Sequence, residues 1–202
     1  MANFAAVHQL GETLVALLRA RRDLLAAAGQ LGPLPAAFEI AHLSAAKLGS
    51  GPPTAGLSIT CYHIGQSEHH SQHAPARNTP QAANISIELR YLLAVWSSAT
   101  PDEQAMVAWA MLELARHPIL DRSVLLGTDV WEREEIVQIL PESLPPEAVF
   151  RIWDCFQQKY RLSFTFVARV LRIGFGTADQ WPPVVATRFG FADVDPFAQE
   201  PA

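Results

Sequence analysis

The sequence predicts an α/β protein of the α+β kind, with a mixed sheet of four to five strands packed by helices. Three observations carry this expectation. Apolar residues recur at helical steps near the start and again from Thr100 to Arg116, but alternate at strand spacing in between. Proline and glycine fall where one period gives way to the other. Half of the 202 residues are hydrophobic, 17% are charged and the net charge is −5, a composition that suits one sizeable folded core.

From Asn3 to about Ala28, Val7, Leu10, Leu14, Leu17, Leu18, Leu24 and Leu25 recur at three- and four-residue steps and predict an amphipathic helix. Arg19, Arg21 and Arg22 fall toward its C-terminal end, where positive charge suits the macrodipole, and read as a solvated face. "GQLGPLP" ends the helix. "FEIAHL" (Phe38 to Leu43) reads as a short edge strand and "KLGSGPPTAG" as a loop. In "LSITCYHI", Leu57, Ile59 and Cys61 alternate with Ser58, Thr60 and Tyr62, the pattern of a half-buried strand.

A polar connection, "YHIGQSEHHSQHAPAR", holds four of the seven histidines: His63, His69, His70 and His73. After it "NISIELRYLLAVW" (Asn84 to Trp96) reads as a long strand, antiparallel to the one before. "TPDEQAMVAWAMLELARHP" is the clearest helix. Thr100 suits the N-cap, Pro101 the first helical position and Glu103 a capping box, and His117-Pro118 closes it. Its apolar residues cover most of the circumference. Either the helix is sandwiched, or one face meets another subunit.

"EIVQIL" (Glu135 to Leu140) predicts a strand. A helix then starts at Pro145 or Pro146 and runs to about Lys159 on a stripe of Val149, Ile152, Trp153 and Phe156. "LSFTFVARVLRI" (Leu162 to Ile173) predicts the last strand. Residues 1–174 thus form an α/β domain, and 175–202 a tail rich in proline and aromatic residues. In that tail Trp181, Phe189, Phe191 and Phe197 read as anchors for an oligomer or partner surface.

Several function classes are excluded. No basic excess is present to neutralise phosphates, so neither nucleic acid nor an anionic membrane is expected as partner. No apolar run approaches the ~20 residues of a membrane span. The basic cluster of "MANFAAVHQLGETLVALLRARR" follows the apolar part, the reverse of a signal peptide, so synthesis in the cytoplasm is expected. Cys61 and Cys155 lie far apart in apolar stretches and read as buried free thiols.

The chain has no GxSxG elbow, P-loop, HExxH or CxxC. "GFGTAD" reads as a turn and "WEREE" as solvated charge, so neither an enzyme nor a cofactor is expected. One alternative remains: a small metal-binding protein or hydrolase using His69, His70 and His73. Those histidines hang from a loop carrying Gly65 and Pro75, without the regular elements that hold metal ligands in place, and the loop reading is preferred.

Four segments taken in order carry a resemblance. They are "LSITCYHIG", "ISIELRYLLAVWSSATPDEQAMVAWAMLELARHPIL", "VQILPESLPPEAVFRIWDCF" and "KYRLSFTFVARVLRI". The chain is similar in these to the tail-terminator (cap) proteins of contractile injection systems, the phage-tail-like particles. The resemblance spans roughly Leu10 to Ile173. It implies a tail-terminator-like fold for residues 1–174 and a structural, non-enzymatic role without cofactor. The implied assembly is a homo-hexameric ring closing the distal end of the particle against inner tube protein and contractile sheath protein. Tyr91, Leu92, Pro118, Leu120, Leu140, Trp153, Tyr160, Ser163 and Arg169 carry over as framework positions. Association by strand addition would make an exposed sheet edge a docking surface. The histidine-rich connection departs from the family pattern, and contacts made through it would respond to pH between about 5 and 7.

Overall fold

The computed structural model describes residues 2–50, 53, 55–67, 84–132 and 134–174. His69, His70 and His73 lie outside the described residues, as do Trp181, Phe189, Phe191 and Phe197 and the whole 175–202 segment. The chain order is α1 (Ala6–Ala27), β1 (Glu39–His42), α2 (Ala45–Ser50), β2 (Gly56–Gln66), β3 (Asn84–Trp96), α3 (Thr100–Arg116), β4 (Ile119–Leu120), β5 (Val137–Glu142), α4 (Pro146–Cys155) and β6 (Ser163–Gly174). The strands form a six-stranded sheet in the order β1-β2-β3-β6-β5-β4. Only β1 and β2 run parallel.

The run Tyr91 to Trp96 is apolar at every position because both faces of β3 are covered. Leu89, Tyr91, Leu93 and Val95 face the layer of α1 and α3, with Leu10, Leu14, Met106 and Trp109 packed among them. Leu92, Ala94 and Trp96 face Leu48 of α2 and Trp153 of α4. Each of these buried large side chains contributes about 1.5–3 kcal/mol. Hydrogen bonds fix both indoles of the second layer. Trp96 Nε1 donates to Ser58 Oγ at 2.8 Å, and Trp153 Nε1 donates to Ser163 Oγ at 3.1 Å.

Two bulges set which faces continue inward. Tyr62 is the extra residue of β2 between the pairs Cys61–Tyr91 and His63–Arg90. On β6 the pairing jumps from Ala168–Leu89 to Leu171–Ile87, so Ala168 and Leu171 share the core face although three residues apart. Beyond that point Ala2 lies beside the strand. Its N–H donates to the Arg172 carbonyl at 2.9 Å, and its own carbonyl accepts from Gly174 at 3.0 Å.

The structure changes the sequence reading in several places. The sheet has six strands rather than four or five, because the two residues Ile119 and Leu120 pair with Gln138 and Val137. A strand of that length has no alternation to detect. The segment read as a loop after residue 46 begins inside a short helix, α2. Ala99, not Thr100, is the N-cap of α3, and no side chain caps it. α4 stops at Cys155, and Gln157 follows with φ of 55°. Cys155 is exposed rather than buried, and both thiols are free. Among the described residues no helix is long and apolar enough to cross a membrane.

Candidate functional site

The two sides of the sheet end differently. On the β1 side, the arginines of α1 close the edge. The Ile40 carbonyl accepts from Arg19 Nε at 2.9 Å and Nη2 at 2.5 Å, and the Phe38 carbonyl accepts from Arg22 Nη1 at 2.6 Å. Arg21 pairs at 2.9 Å with Glu113 of α3, a carboxylate only 1% exposed that also accepts from Arg116 at 2.9 Å. Arg19 is exposed and Arg21 and Arg22 are half-buried, so the solvated face expected of them also makes specific contacts. They hold α1 to β1 and α3, and Arg19 and Arg22 occupy backbone acceptors that strand addition would need.

Next to them lies a cluster of imidazoles. His8 and Glu12 stand one turn apart on α1, and His42 reaches them from the end of β1. His42 Nδ1 lies 2.9 Å from Glu12 Oε1 and His8 Nε2 lies 3.9 Å from the same oxygen. The two rings stack with centroids 5.4 Å apart and planes 26° apart. Gly11 makes the seat: a Cβ there would overlap three atoms of the His42 ring. Both rings border a cavity of about 620 Å³, lined further by Phe4, Lys47, Cys61 and His63. Burial pushes the Cys61 thiol up, only partly offset by backbone hydrogen bonding at His63. Burial likewise pushes the Tyr91 phenol well above its ordinary range, with Cys61 adding to the effect.

On the β5 side the surface is apolar. Met111 and Leu112 of α3 are 47% and 59% exposed, and Ile119 and Ile136 are also exposed. Between α3 and the sheet runs a groove of about 450 Å³ lined by Met111, Ala115, Pro118, Leu140, Pro141 and Phe164. Within the chain α3 is not sandwiched: Met106, Trp109, Ala110 and Leu114 face inward, while Met111 and Leu112 are exposed. The edge itself is blunted here too. The Ile139 N–H donates outward to the Pro118 carbonyl at 2.8 Å, so Pro141, two residues on, faces the same way and has no N–H to offer.

Four of the nine framework positions fall in the packing, and Pro118 and Tyr160 are exposed. Tyr91, Leu92, Leu120 and Trp153 are buried, whereas Tyr160 is 51% exposed and stacks edge-on with Phe150. Arg169 lies on β6, 3.9 Å from Glu88. Behind the bulge at Tyr62, Glu142 accepts from the Tyr62 hydroxyl at 2.7 Å and pairs with Arg90, joining β2, β3 and β5. These hydroxyls and carboxylates hold elements together. Sequence reasoning missed the His8, Glu12 and His42 group. Only the i, i+4 spacing of His8 and Glu12 was visible, and nothing local ties either to a residue thirty positions on.

Residues 9–187 match the family described as the Pvc16 N-terminal domain. Among solved structures, the chain is similar to the PVC sheath/tube terminator of an extracellular contractile injection system in its extended state. That similarity has a TM-score of 0.55 at 15% identity and covers 93% of this chain and 63% of the other. It is also similar to the tube-terminating cap of the anti-feeding prophage, with a TM-score of 0.49 at 15% identity, covering 84% of this chain and 60% of the other. The chain thus spans less than two thirds of the length of either. No curated protein matches it by sequence.

Proposed function

The chain belongs to the Pvc16 N-terminal domain family, and on that premise we propose that it is a structural cap, the tail terminator of a phage-tail-like contractile injection system. Copies of it form a homo-hexameric ring that closes the distal end of the inner tube and contractile sheath, and its partners are itself, the tube protein and the sheath protein. It acts by occupying the surface on which the next layer would add, and carries out no reaction. The observation that carries this reading is the family match across residues 9–187. The shared fold with a sheath/tube terminator agrees with it.

The geometry supports a division of surfaces. Both sheet edges are blunted, so self-association is assigned to the apolar face of α3 around Met111 and Leu112, with a second copy as occupant. The aromatic residues Trp181, Phe189, Phe191 and Phe197 are proposed as further oligomer or partner contacts. Native mass spectrometry and negative-stain imaging of the purified chain test the ring directly. A closed six-fold ring is expected, and a chain that stays monomeric and fails to bind tube or sheath ends overturns the reading. Deleting the chain after Gly174 tests the aromatic contacts: rings that form and cap as before would remove them.

A further inference from the structure

We propose that His8, Glu12 and His42 form a divalent-cation site, with zinc as the ion their chemistry fits best. Two imidazoles and one carboxylate are a recognised zinc donor set that leaves a fourth position for water or another ligand. The three donor atoms already lie within 4.8 Å of one another. A tetrahedral ion with bonds of about 2.0–2.1 Å requires separations of about 3.4 Å. His8 supplies the missing adjustment, since its side chain is 69% exposed and changes rotamer at little cost.

The arrangement is more than an ion pair. One carboxylate oxygen of Glu12 faces a ring nitrogen of each of two stacked imidazoles. His42 is the fixed member: its side chain is 14% exposed and lies flat on α1 where Gly11 leaves room. His8 and Glu12 are held on one helix face by their spacing. The site would pin β1 to the first half of α1, as Arg19 pins it to the second half. Its donors lie outside the histidine-rich connection, and it does not depend on the proposed cap role.

The test is isothermal titration of zinc chloride into the full chain, purified without a metal-affinity tag and stripped with chelator. One comparison variant carries His69→Ser, His70→Ser and His73→Ser, so that those histidines do not contribute. One ion per chain is expected in this variant, with His8→Ala or Glu12→Gln weakening it at least about tenfold. Bound zinc is expected to raise the melting temperature of the comparison variant but not of its His8→Ala derivative. His8 is exposed, so its replacement leaves the fold in place, and circular dichroism of each variant checks this. Zinc binding that disappears with the three serine substitutions, or that survives His8→Ala and Glu12→Gln unchanged, overturns the proposal.

Discussion

The β1 side and the β5 side of the sheet solve the same problem in opposite ways. At β1 the exposed backbone acceptors are satisfied from within by Arg19 and Arg22, and the nearby imidazoles converge on Glu12. At β5 the edge is shortened and ended by Pro141, while Met111, Leu112, Ile119 and Ile136 stay exposed. The first surface has its edge acceptors satisfied, with Phe4 and Ile64 exposed around the cavity beside it. The second has apolar area whose burial would drive association. A chain that assembles needs one of each kind, so that growth occurs on the intended face and not by sheet-to-sheet addition.

The largest expected effect lies on the closed side. Gly56 has φ of 147°, and a Cβ there would overlap the backbone of Glu39, the pairing partner that ties β1 to β2. Gly56→Ala should destabilise the fold by about 3 kcal/mol, read as a lower urea midpoint. An unchanged midpoint would mean that β1 contributes little to the sheet. On the open side the prediction is reversed. Leu112→Glu should leave the urea midpoint of the monomer within about 0.5 kcal/mol of wild type, since the residue is exposed on a helix. The same change should abolish the ring in native mass spectrometry. Rings that survive would move the self-contact away from α3.

The smallest effect concerns the two thiols. Burial holds the Cys61 proton more tightly in the folded chain, whereas Cys155 is exposed. Alkylation requires the thiolate, so at pH 8 Cys155 should react first, and Cys61 should gain rate only at higher pH than in urea. The stabilising contribution of the protonated Cys61 is accordingly present at neutral pH and declines as pH rises past the ordinary thiol range. Peptide mapping after iodoacetamide treatment measures both rates, and equal rates would show the cavity beside Cys61 to be open to solvent.

Much of the fold was legible because it rests on local periodicity. The alternation of Leu57, Ile59 and Cys61 placed one face of β2 in the core, although Ser58 and Thr60 on the face read as open are buried too, and the stripe of Val149, Ile152, Trp153 and Phe156 placed α4 on the sheet. That the unbroken run from Tyr91 to Trp96 is covered on both sides was shown only by the structure. The excess of apolar residues on α3 also signalled a surface in need of cover, and the structure located it at Met111 and Leu112. The candidate sites were less legible. The arginines of α1 read as solvated because their acceptors are carbonyls, which carry no sequence signal. Two residues of β4 are too few to show a period.

By itself, then, the sequence determined the types of the long elements, most of their inward faces and the family, since each depends on side-chain pattern within a segment or on motif order along the chain. Only the tertiary structure decided which segments meet. It set β1 parallel to β2, brought Arg21 to Glu113, and carried His42 across to His8 and Glu12. The physical reason is that a segment's hydrophobic pattern fixes how much of it is buried, while its neighbours are chosen by packing among all the elements at once.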